Sequence, residues 1–214
     1  MILESCVGSV IDARRAQTNG AHQLELCDRL DLDGISPPRE LVAGVCQAVT
    51  IPVKVILNPV PFEYMYSDRQ LDGILAYMAS LADLNVAGFV FGSLDRNQMP
   101  DLAAVEKVAT ATQLPITFHK AIDEAQDILT AIELLSKSKI VQFVLTSGGY
   151  PTAIDGLSRL IEMRDLLADQ ALAHGPRMRL IAAGSITSNN LPKLDQALRL
   201  ESVSYTHLTL PTKA

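Results

Sequence analysis

A strict alternation of short apolar runs with helix-period segments constrains this chain more than any other feature. The runs Met1–Cys6, His22–Cys27, Pro52–Leu57, Ala87–Phe91, Pro115–His119, Val141–Thr146 and Met178–Ala182 read as strands. Each precedes an amphipathic stretch: Ser9–Thr18, Arg39–Val49, Arg69–Leu84, Leu102–Thr112, Ile128–Ser136, Ala153–Ala168 and Asn189–Leu198. Strand-then-helix alternation specifies a parallel sheet with crossover helices, because parallel neighbours need a long return connection. The junctions agree. Ile51-Pro52 and Leu114-Pro115 open strands, since the residue before proline is pushed out of the helical region. Asp68, Asp101 and Asp127 stand where helix N-caps are expected. The first strand-to-helix turn, Val7-Gly8-Ser9, lacks the glycine fingerprint of a doubly wound dinucleotide fold. The pattern therefore predicts an α/β chain of the (β/α)8 TIM-type barrel class, with the eighth strand missing, over an open flavodoxin-like sheet.

The last residues break the pattern. After Glu201 the chain reads Ser202-Val203-Ser204-Tyr205-Thr206-His207-Leu208-Thr209-Leu210-Pro211-Thr212-Lys213-Ala214, and Val203–Thr212 resembles a translated sequencing adapter. The expectation is a truncated barrel domain over 1–201 and a non-native tail over 202–214. Strands one and seven would then be left as open edges, which favours poor solubility or a homo-oligomer.

Eighteen basic residues against 24 acidic ones give a formal charge of −6. An acidic body without a basic cluster argues against nucleic acid and anionic membrane as partners. No apolar run is long enough to span a bilayer, and Met1-Ile2-Leu3-Glu4 has no signal-peptide pattern. Three cysteines, an odd number, fit free thiols in a reducing cytoplasm.

Alternation along barrel strands assigns the chemistry. Leu3-Glu4-Ser5-Cys6 and Leu24-Glu25-Leu26-Cys27 carry Glu and Cys on one face. Leu24 and Leu26 belong under helices, so Glu4, Cys6, Glu25 and Cys27 point into the barrel. Lys54, Ile56 and Asn58 share a face in strand three, Thr117 and His119 in strand five, and Gln142, Val144 and Thr146 in strand six. Arg179 adds a cation in strand seven. Glu4, Lys54 and Glu25 read either as part of a polar pocket or as a satisfied ion network in the barrel floor. Cys6 and Cys27 read either as small buried hydrophobes or as a soft-metal pair, too few for tetrahedral zinc but suited to Cu(I). Cys46 sits on a helix and reads as packing. His119, with Asp123 close behind it, is a candidate base. Two loops, Ser147-Gly148-Gly149 and Gly184-Ser185, could offer backbone N–H groups to an anion.

These texts, in order, resemble the CutC copper homeostasis family. The pieces are Leu3-Glu4-Ser5-Cys6, Glu25-Leu26-Cys27, Asp33-Gly34-Ile35-Ser36-Pro37, Gly88-Phe89-Val90-Phe91-Gly92, Thr117-Phe118-His119-Lys120-Ala121-Ile122-Asp123, Leu145-Thr146-Ser147-Gly148-Gly149 and Ala182-Ala183-Gly184-Ser185-Ile186. The resemblance implies a (β/α)8 barrel in the cytoplasm, linked to copper tolerance, with Cu(I) held at the positions of Cys6 and Cys27. Where the family reads Arg-Pro-Arg-Gly-Gly-Asp-Phe after strand three, this chain has Asn58-Pro59-Val60-Pro61-Phe62-Glu63-Tyr64. Any anion-binding role of that loop is lost with the arginines. The family's His-Ser-Ser text in strand eight is also absent.

Two functional expectations follow. One is copper homeostasis, with Cu(I) as the ligand of Cys6 and Cys27. The alternative is a barrel lyase or isomerase acting on a small anionic or phosphorylated carbonyl compound. There His119 would act as base, supported by Asp123 or Lys54 beside Glu4 and Glu25, with Ser147, Gly148, Gly149, Gly184 and Ser185 holding the anion.

Overall fold

The computed structural model describes residues 1–174, 178–199 and 201–205, with backbone alone considered for 172–174. Its strands are β1 (Ile2–Val7), β2 (Gln23–Leu26), β3 (Val53–Ile56), β4 (Gly88–Val90), β5 (Ile116–Phe118), β6 (Phe143–Thr146), β7 (Arg179–Ala182) and β8 (Ser202–Tyr205). The helices are α1 (Val10–Thr18), α2 (Arg39–Ala48), α3 (Asp68–Ser80), α4 (Leu102–Thr110), α5 (Ile128–Ser138), α6 (Leu157–His174) and α7 (Leu191–Leu198). Every strand pairs in parallel with its neighbours in sequence order, and β8 pairs with β1 to close the barrel.

The expected gap at strand eight is therefore filled. Ser202–Tyr205 lies between β7 and β1, with Ile181 level with Ser202 and Glu4 level with Ser204. The physical reason is local. Two parallel edges present unpaired backbone groups, and any four-residue extended segment that alternates small polar with apolar side chains satisfies both. Val203 and Tyr205 are buried in the main hydrophobic layer, while Ser202 and Ser204 are buried on the other face. With β8 in place, β1 and β7 no longer present open edges through which a second copy could pair. Residues 206–214, including His207, lie outside the described residues.

Most of the core is the layer between strands and helices. Leu24, Leu26, Val55, Phe91, Phe118 and Val144 project outward into it and meet helix residues such as Val45, Val105, Ile132 and Leu160. Asp101 and Asp127 accept backbone N–H groups at the starts of α4 and α5, as expected. Asp68 does not cap α3. Ser67 does, in a reciprocal box with Gln70, and Asp68 is the first helical residue beside the positive end of the helix dipole.

Strand six corrects a second expectation. Its inward residues are Phe143 and Leu145, which join Ile181 and Ala183 in a small interior cluster, whereas Val144 belongs to the outer core. Gln142 bonds the Ile116 N–H at the strand's foot, and Thr146 turns to Asp123. Phe143-Val144-Leu145 is apolar on both faces, so alternation could not say which face looks inward.

Candidate functional site

Register builds the interior from the floor upward. Glu4 lies level with Gln23, and Cys6 with Glu25, which in turn is level with Lys54. Gln23 donates to Glu4 Oε2 at 2.6 Å, and Lys54 Nζ reaches the same oxygen at 2.9 Å. Lys54 also donates to Thr117 Oγ1 at 3.3 Å and sits 4.4 Å from the Phe143 ring centre. Arg179 lies 4.7 Å from that same ring. Glu4 and Lys54 are thus a buried ion pair in the floor, and among the described residues Glu25 is not part of it. Glu4 Oε1 is buried without a partner.

Glu25 stands apart from that pair. Burial raises its carboxyl to about 8, and the Glu4 charge adds to the rise more than Lys54 offsets it. It lines a cavity of about 220 Å³ at the C-terminal end of the strands, together with Cys6, His119, Lys120, Gly184 and Ser185. This is the end of the barrel at which enzymes of the class carry their chemistry.

The cysteines are brought together. Cys6 Sγ and Cys27 Sγ are 3.4 Å apart, from adjacent strand ends. Cys6 faces the cavity, while Cys27 is wholly buried behind it beside Ile56 and Val90. The hydrogen bond to Cys27, then burial, then the Glu25 charge push the Cys6 thiol well up. Cys46 lies on α2, against the Asn85 carbonyl, away from the pair. Among the described residues no group of three or more His, Cys, Asp and Glu side chains could hold a metal. The donor set is two sulfurs. Zinc–thiolate bonds are about 2.3 Å, and a linear S–metal–S unit of that order is longer than the 3.4 Å gap, so the pair must open to take a two-coordinate ion between them.

His119 is a buried ring in a prepared slot. Its Nδ1 accepts the Ala121 N–H at 3.1 Å, so in the neutral ring the proton sits on Nε2. Burial lowers its pKa to about 4. A neutral Nε2–H is a hydrogen-bond donor rather than a base, the reverse of the role expected from sequence. A Cβ on Gly92 would fall 2.6 Å from Nδ1, so only glycine leaves room for the ring. Sequence reasoning missed Gly92. Its signal was a glycine at a strand end, opposite a histidine on the neighbouring strand.

Asp123 does not reach the cavity chemistry either. Its carboxylate accepts from Ser147 N–H and Oγ–H, from the Gly149 N–H at 2.8 Å, and from the Thr146 hydroxyl. The Gly148 N–H goes to Thr146 Oγ1. The loop expected to cradle a ligand anion is folded around an anion that the chain itself supplies. Of the two glycine loops, only Gly184-Ser185 borders the cavity. Asn58 is likewise occupied, donating to the Gly34 carbonyl and accepting from Tyr66.

A closed parallel eight-stranded barrel with a polar cavity at the C-terminal mouth defines the class as a TIM-type barrel. A family model described as the CutC family matches residues 1–211, and the chain belongs to that family. The fold is similar to that of a Streptococcus agalactiae protein assigned to copper homeostasis as CutC, with TM-score 0.87 and 22% identity, over 98% of this chain and 100% of that one. It is also similar to a Burkholderia cenocepacia J2315 protein assigned as a phosphonomutase (TM-score 0.63, 14% identity, 96% and 85% covered). A third similarity is to the phosphoribosylanthranilate isomerase of Thermotoga maritima (TM-score 0.59, 12% identity, 100% and 92% covered). At these identities the likenesses speak to fold. No helix among the described residues is long and apolar enough to cross a membrane.

Proposed function

We propose that this chain is a cytoplasmic copper homeostasis protein that takes up Cu(I) between Cys6 and Cys27. The observation that carries the reading is the 3.4 Å approach of the two sulfurs at the barrel mouth. Soft thiolates select Cu(I), and a two-sulfur set suits its low coordination number better than it suits zinc. Cys6 supplies the path, because it borders the cavity while Cys27 is sealed. Binding must displace the protons that the paired, buried thiols hold, so affinity rises with pH. The ion's positive charge would also lie close to Glu25, favouring its carboxylate form.

Anaerobic titration of the reduced protein with Cu(I), in competition with a chromophoric chelator, tests this. One Cu(I) per chain is expected, held more tightly at pH 8 than at pH 6. In a Cys6→Ser, Cys27→Ser double variant the binding disappears. Unchanged affinity in that variant overturns the reading.

A further inference from the structure

We propose that the mouth cavity is also a binding site for a small uncharged carbonyl compound, whose oxygen accepts the Nε2–H of His119. The copper reading does not use this residue, and either proposal can stand without the other.

The first ground is an unspent donor. His119 is 5% exposed and its Nε2 is buried with no partner, although the ring forms part of the cavity wall. Leaving a buried donor unpaired is unfavourable, and a ligand oxygen removes that penalty on binding. The second ground is preorganisation. The ring is held by the Ala121 N–H, by Tyr64 at 5.3 Å, by Phe118 at 6.2 Å and by the absence of a side chain at Gly92. Nothing in the floor network needs that fixed orientation.

The chemistry of the wall selects the ligand. Glu25, Asp33 and Lys120 line the cavity, and burial keeps the Glu25 carboxyl largely neutral near pH 7, which leaves one acidic and one basic side chain, Asp33 and Lys120. The neutral imidazole brings no positive charge of its own. The wall therefore offers an anion no net positive charge, whereas a ketone, aldehyde or amide oxygen meets a neutral donor of matching polarity. Ile56 and Leu145 supply apolar wall for the carbon frame. A volume of about 220 Å³ suits a compound of a few carbons. This moves the expected ligand from an anionic or phosphorylated compound to an uncharged one.

Hydroxyacetone is the first probe, titrated into protein carrying 15N at histidine. A His22→Gln, His174→Gln, His207→Gln variant leaves His119 as the sole histidine and assigns its resonance. The expected result is a saturable downfield shift of the Nε2–H proton with hydroxyacetone, and no saturable shift with acetate at equal concentration. Saturation transfer to hydroxyacetone should weaken at least tenfold in His119→Phe. The proposal is overturned if neither hydroxyacetone nor dihydroxyacetone moves the Nε2–H resonance, or if acetate moves it at lower concentration.

Discussion

Glu25 and His119 are both buried at the mouth, and burial drives each toward its neutral form. For Glu25, the usual 4.5 becomes about 8. Between those pH values unfolding releases a proton, so its contribution to stability is full below 4.5 and is lost as pH rises through 8. For His119, the usual 6.5 becomes about 4. Unfolding there takes up a proton, so its contribution is full above 6.5 and is lost as pH falls through 4. The two slopes oppose one another from 4.5 to 6.5, and above 6.5 only Glu25 acts. Urea unfolding should show the protein less stable at pH 8 than at pH 6.5 by about 2 kcal/mol, and Glu25→Gln should remove that fall. A variant that keeps the wild-type slope contradicts the assignment. At this scale the sequence was informative about which residues meet, because Glu and Cys two apart in β1 and β2 must share a face. It was silent on protonation. The tautomer of His119 depends on a backbone N–H two residues along, in a turn that alternation does not describe.

At the scale of the element, the floor of the barrel is held by one buried ion pair shared between β1 and β3. Removing one partner strands the other charge in a dry interior, which typically costs 3–5 kcal/mol, whereas removing both is far milder. Lys54→Met is expected to lose at least about 3 kcal/mol in chemical denaturation. Adding Glu4→Gln to it should recover most of the loss, since Gln23 can still hydrogen-bond the amide. Equal losses in the single and double variants would show that Glu4 and Lys54 act independently. The elements themselves were legible to within a few residues. Proline-opened strands and aspartate caps announce their own boundaries. Strand six was not legible in orientation, because both of its faces are buried and apolar. The β6–α6 loop was misread for a related reason: a glycine-rich turn looks the same whether its N–H groups await a phosphate or already hold Asp123.

At the scale of the whole molecule, closure depends on four residues that their sequence had set apart. β8 pairs with both β7 and β1, so it converts two exposed edges into interior ladder. A chain ending at Glu201 should lose the sharp thermal transition of the longer chain and elute as multimers in size-exclusion chromatography. A monodisperse monomer with an unchanged transition would show that β8 contributes little. The barrel class was readable from alternation alone, but closure was not. Four residues of alternating serine with valine and tyrosine carry too little pattern to be called a strand until the vacant slot between two edges is known.

The proposed copper site depends on the pairing of Cys6 with Cys27, and X-ray absorption at the copper edge of the anaerobically loaded, full-length protein tests it directly. The prediction is a Cu(I) edge with two sulfur neighbours and no bound nitrogen, lost together with bound copper in the Cys6→Ser, Cys27→Ser variant. Bound copper with a first shell of nitrogen or oxygen, or copper retained by the double variant, would contradict it.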